Sequence, residues 1–168
     1  MKITKELLRE KGACAAGYRD FLKEFPEEKY PDGVEYQDLL DCCAEKNFSY
    51  GSWLLSEFGR TDDVRRVDGD LITKKSIIFA GRLEVSGIIK AGESIEAGYG
   101  IKAGYGIEAG ESIEAGYGIK AGRGIEAGCE FGIYAGLRVR ITSEYRKIIA
   151  KTKPENIMCG EFVEAENE

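Results

Sequence analysis

The residue types that could do chemistry in this chain are its cysteines, a set of evenly spaced glutamates and nine tyrosines; there is no histidine. The five cysteines (Cys14, Cys42, Cys43, Cys129 and Cys159) are odd in number and form no C-x-x-C pair. They read as reduced thiols of a cytoplasmic protein, not a disulfide framework or zinc site, and as small buried hydrophobes. Without histidine, Ser–His and Cys–His nucleophilic pairs are impossible, and general acid–base catalysis near pH 7 loses its commonest residue. Carboxylates, lysines and tyrosines remain, but no spacing sets two of them in a sheltered cleft with opposed environments. The expectation is a protein with no catalytic residues, no metal and no cofactor, which acts by presenting a surface.

The elements that must position such a surface follow from length and pattern. A chain of 168 residues with 43% apolar content can form one compact unit or two small ones. A net charge of −6 gives no basic stripe for nucleic acid. The first ten residues lack an apolar signal region and no apolar run reaches membrane-spanning length.

Residues 1–60 predict an α-helical domain. Thr4 is placed to cap a short helix over Lys5–Lys11 that ends before Gly12. Tyr18, Phe21, Leu22 and Phe25 share one helix face before Pro26. Tyr36, Leu39, Leu40 and Cys43 mark a second amphipathic helix, and Tyr50, Trp53, Leu54 and Phe58 a third that ends at Gly59. Residues 61–70 read as a charged connector.

From Leu71 the chain falls into hexads, with Ile89, Ile95, Ile101, Ile107, Ile113, Ile119 and Ile125 each followed two places later by Ala and then Gly. Alternation turns Ile and Ala to one side of a short strand and the charge between them to the other. The glycine is placed to supply positive φ at a corner. Glu93-Ser94 returns at Glu111-Ser112 and Tyr99-Gly100 at Tyr117-Gly118, so three hexads make a turn of eighteen residues. The prediction is a mainly β fold: a three-sided parallel β-helix over 71–142, right-handed, with Phe131 and Leu137 continuing the aliphatic column. Residues 143–168 predict a β-hairpin cap, from Tyr145–Lys151 and Ile157–Val163, and an acidic tail, Glu164–Glu168.

Stacking every eighteenth residue predicts what each face carries. One column holds Lys102, Lys120 and Arg138, with Tyr105 and Arg123 beside it. The next holds Glu96 and Glu114, flanked by Tyr99 and Tyr117, and the third mixes Lys90, Glu108 and Glu126. Any single charge is what a solvated solenoid exterior needs. Aromatic and arginine columns are enriched in binding surfaces, so these nine residues (Tyr99, Tyr105, Tyr117, Arg123, Lys102, Lys120, Arg138, Glu96 and Glu114) are the candidate partner-binding set.

The G-I-K-A-G and G-I-E-A-G units resemble the glycine-spaced repeat of bactofilins, polymer-forming bacterial cytoskeletal proteins built on a right-handed β-helix. The combination of Lys2–Cys14 (KIT-x-x-L-L-x-E-x-x-A-C) with IKAG tracts is similar to small phage and mobile-element proteins. That resemblance implies a role of the kind phage proteins of this size often have, inhibition of host defence systems such as CRISPR effectors. The hexapeptide acyltransferases and carbonic anhydrases with a left-handed coil depend on histidines this chain lacks.

The reading is thus a non-enzymatic cytoplasmic module that binds a protein partner, such as a host defence complex, with homodimerisation open and no contact with membrane or nucleic acid. The alternatives are a self-assembling structural protein and a DNA mimic. The near-neutral repeat disfavours mimicry, which wants dense negative charge.

Overall fold

The computed structural model describes residues 1–166. Its larger part is a parallel three-sided coil, and the register confirms the repeat: Ile113 lies over Ile95 and Ile95 over Ile77, eighteen residues apart. The first face stacks Val64–Val67, Arg82–Val85, Ile101–Ala103, Ile119–Ala121, Lys147–Ala150 and Glu161–Glu164. The second stacks Leu71–Thr73, Ile89–Ala91, Ile107–Ala109 and Ile125–Glu126, and the third Ile77–Phe79, Ile95–Ala97, Ile113–Ala115, Ile133–Ala135 and Ile157–Cys159. Six strands at about 4.8 Å make a rod roughly 24 Å tall. Its core is the expected ladder, Ile89, Ile95, Ile107 and Ile113 being fully enclosed with the alanines between them.

Four expectations are corrected. The rod begins at Val64 inside the supposed connector, because Val64–Val67 pairs in parallel with Arg82–Val85. The column does not run on through Phe131 and Leu137, which are 43% and 49% exposed. Two extra residues follow Ala127, so Ile133 rather than Phe131 lies over Ile113. The terminal strands are real but form no hairpin: Lys147–Ala150 pairs in parallel with Ile119–Ala121 and with Glu161–Glu164, as further coils. Residues 136–146 loop out between them, and Lys151–Asn156, interrupted by Pro154, adds no strand to the second face. Of the acidic tail, residues 167–168 lie outside the described residues.

The repeat glycines are the fourth correction. None from Gly81 to Gly132 has positive φ. They are required because the coils approach closely: a Cβ at Gly104 would stand 1.9 Å from the Ser86 carbonyl oxygen, and at Gly110 2.1 Å from that of Gly92. The corner is a tight backbone stack, not a left-handed turn.

Residues 1–58 hold helices α1 (Lys5–Glu10), α2 (Ala15–Glu24), α3 (Tyr36–Lys46) and α4 (Gly51–Phe58), with a small antiparallel pair, Lys2–Ile3 and Val34–Glu35. Thr4 caps α1 as expected, its Oγ1 accepting from the Leu7 N–H at 3.2 Å. Tyr36, Leu39, Leu40 and Cys43 are buried, but Leu22 of the predicted apolar face is 39% exposed. This domain is seated on the lowest coil of the third face. Ile78 points outward from the rod into the helical core, and Gly51 opens α4 because a Cβ there would lie 2.6 Å from Ile78 Cδ1.

Candidate functional site

The first face and its two corners gather six of the nine candidate residues. Lys102 and Lys120 stack in register on its outer side and are exposed. At the corner entering this face, Tyr99 and Tyr117 lie ring on ring, with centroids 4.2 Å apart and 9° between planes. One coil spacing sets that distance, so the stack follows from the eighteen-residue register. Arg60 lies beside the stack, within 4.3 and 4.9 Å of the two centroids, and Arg82 is 4.3 Å from that of Tyr99. Tyr145 from the looped-out segment extends the row, 5.8 Å from Tyr117. At the corner leaving the face, Arg123 stacks over Tyr105 at 5.3 Å, and Tyr105 is 52% exposed. Between the Tyr99–Tyr117–Tyr145 wall and the lysines runs a shallow trough of about 420 Å³, with Arg82 and Lys147 on its border. The tyrosine ring faces are spent on each other and on arginine, which leaves their edges and hydroxyls for any partner.

The other three residues lie elsewhere. Arg138 does not join the lysine column: Ile149 stands over Lys120, because the insertion after Ala127 and, more, the looped-out residues 136–146 displace the chain beyond them. Arg138 instead sits in a groove of about 380 Å³ between α4 and the third face, with Glu96 and Glu114. Glu96 lies under the helical domain and accepts a hydrogen bond from Ser52 Oγ at 2.7 Å. Burial, more than the neighbouring Glu114, pushes its carboxyl up to about 7, against the pull of Ser52 and Arg138. Glu96 and Glu114 therefore belong to a seam within the chain rather than to an open face.

Sequence reasoning missed what ties the two parts together. The Gln37 side chain of α3 donates from Nε2 to the Ile78 carbonyl at 2.8 Å and accepts from the Ala80 N–H at 3.1 Å. Ile77–Phe79 is the lowest strand of its sheet, so this one amide occupies the place of a missing neighbour. Arg60 was missed too; the tyrosine pair at fixed spacing was its only signal. The Glu-Ser corners form a further ladder, Ser76 donating to Glu93 and Ser94 to Glu111 at 3.1 and 3.0 Å. It satisfies polar side chains between coils.

The cysteines do not behave as a set. Cys43 is buried, and its thiol is pushed up to about 12, by burial first and then by Cys42 and Glu96. Cys42 and Cys159 are half-buried and Cys14 and Cys129 exposed, which corrects the expectation that all five are interior. Among the described residues no group of three or more Cys, Asp or Glu is placed to hold a metal ion, and no helix is long and apolar enough to cross a membrane.

No curated protein and no solved structure matches the chain. Residues 1–58, which coincide with the helical domain, match the family model of the YdhT N-terminal domain.

Proposed function

We propose that the protein is a non-enzymatic binding module whose first face, bounded by the tyrosine stack and the Tyr105–Arg123 pair, takes an acidic segment of a protein partner. The observation that carries this reading is the excess of cations on one apolar-walled trough in a chain of net charge −6: Arg82, Lys102, Lys120 and Lys147 line it against Glu84 and Glu144, and Glu84 is itself paired with Arg66 and Arg82. Local positive potential on a negative protein selects acidic partners and speeds encounter, while the aromatic wall supplies contact area at low entropic cost. The likeness of the Lys2–Cys14 segment joined to IKAG tracts to phage and mobile-element proteins extends the proposal to a class of partner, a bacterial defence complex such as a CRISPR effector, with cytoplasmic action.

The test is titration of the partner captured by the immobilised full chain against wild type and variants. Tyr105→Ala should keep the melting transition within about 0.5 kcal/mol and lose about 1–2 kcal/mol of affinity. Charge reversal at Lys102 and Lys120 should slow association and weaken its salt dependence. Wild-type binding by all three variants would sink the reading.

Self-assembly through the rod ends, as in bactofilins, is the second reading, and the free edge of Glu161–Glu164 favours it. Against it stands Arg65, an exposed charge at an inward register position over Leu83 on the opposite edge, a device that discourages strand addition. Sizing at rising concentration separates the two: a growing polymer supports assembly.

A further inference from the structure

The helical domain contains a cavity of about 290 Å³, open on one side, between the α1–α2 pair and the α3–α4 pair. Its size lies at the lower end of the range for small-molecule sites, which are mostly apolar with a few placed polar groups. Phe21 of α2, Phe25 just past its end, Tyr50 and Trp53 line it. The charged groups on the lining are Asp20 and Glu24, one helical turn apart on α2, and among the described residues no lysine or arginine lines it. The two carboxylates differ. Glu24 is 3.5 Å from Lys46 Nζ and is compensated there. Asp20 accepts a hydrogen bond from the Tyr50 hydroxyl at 3.0 Å, a neutral donor that fixes the carboxylate at the cavity and leaves its charge in place.

An apolar aromatic chamber with one fixed, uncompensated carboxylate is complementary to an organic cation. The rings accept the apolar body and favour a cation near their faces, and the carboxylate favours an ammonium over a neutral group of the same shape. A neutral ligand would leave Asp20 facing apolar surface, and an anion would be repelled. We propose that this cavity binds an alkyl- or aryl-ammonium group, with Asp20 as counter-ion and the Phe21, Phe25, Tyr50 and Trp53 rings as its enclosure. This site is independent of the trough on the rod.

Trp53, the single tryptophan of the chain, lines the cavity, so its emission reports occupancy directly. The full-length protein is titrated with benzyltrimethylammonium and, in parallel, with the uncharged carbon isostere neopentylbenzene. The expected result is a saturable change in Trp53 emission with the ammonium, at an affinity at least about tenfold above that of the isostere. Asp20→Asn keeps an acceptor for the Tyr50 hydroxyl and should remove about tenfold of the ammonium affinity, leaving the isostere and the circular dichroism spectrum unchanged. Glu24→Gln, at the compensated carboxylate, should do much less. A peptide carrying trimethyllysine, against its unmethylated form, tells a modified protein side chain from a free small cation. Absence of a saturable change with any ammonium probe overturns the proposal. So does equal binding of the isostere, or an Asp20→Asn variant that binds like wild type.

Discussion

The helical domain and the rod both bury aliphatic side chains in little volume, but they spend sequence differently. In the rod one Ile-x-Ala unit recurs, so that Ile89, Ile107 and Ile125 meet the same neighbours above and below in turn. In the helical domain each contact occurs once: Tyr36 donates its hydroxyl to the carbonyls of Leu54 and Gly59, a thiol caps α2, and Ile78 of the rod completes the core. The rod is therefore a chain of nearest-neighbour interfaces, whereas the helical domain is one indivisible cluster. Their surfaces differ accordingly, a periodic exterior in the one and a cavity open on one side in the other.

The contrast is most exposed to test at fully buried positions. Ile107→Asp places a charge in the middle coil and should cost several kcal/mol, leaving an aggregated or molten rod. Leu40→Asp should melt the helical domain by a similar amount while the β signature in circular dichroism persists. Loss of that signature in Leu40→Asp would mean that the two parts fold as one.

Glycines give the next largest effect and separate the regions by mechanism. Gly104→Ala drives a Cβ into the Ser86 carbonyl and should cost about 2–4 kcal/mol. Gly12→Ala has open space around it and a φ of +76°, so about 1 kcal/mol is expected from backbone strain alone. Gly124→Ala, with nothing near and no positive φ, should be neutral within about 0.5 kcal/mol. Melting midpoints rank the three; a costly Gly124→Ala would contradict the close-approach account.

An effect spread over a range of pH concerns the seam where the two regions meet. Glu96 holds its proton up to about pH 7, above the unfolded value of about 4.3. The folded protein thus binds more protons than the unfolded chain between these limits. Stability at this site is greatest below about pH 4.3 and declines as pH rises to 7, by about 1–3 kcal/mol. Glu96→Gln should flatten that slope in denaturant titrations across the window. An unchanged slope would place Glu96 in open solvent.

Much of the rod was legible because its period is dictated by backbone geometry: strand alternation fixes Ile and Ala inward, and eighteen-residue columns fix Tyr99 over Tyr117. The slip after Ala127 was hidden because Phe131 offers an apolar side chain where the frame wants one. Ile133-x-Ala135 is the better copy of the unit, and that was the available signal. The glycine requirement was legible and its cause was not, since close approach of two coils leaves no trace in a single hexad. Of the nine candidate residues, the six on the first face and its corners stand in the columns the spacing gave them, whereas Glu96 and Glu114, in equally regular coils, lie against the helical domain, and Arg138, beyond the slip, was misplaced. Arg60 and Gln37 act across the helix–rod boundary, where no local pattern reaches.

The Gln37 amide bears on a degeneracy that repetition creates. Coils that begin at Ile89 and Ile107 carry nearly the same side chains inward, so a chain mispaired by one whole coil would bury almost as many isoleucines as the native one. Aliphatic packing cannot tell those alignments apart. The helical domain marks one strand: Gln37 bonds the Ile78 carbonyl and Ala80 N–H, backbone groups any coil could offer, but the outward Ile78 side chain fills the helical core where Glu96 or Glu114 would not fit. The helical domain thus fixes which strand is the lowest, and the pairing of the later coils is carried by the rod itself.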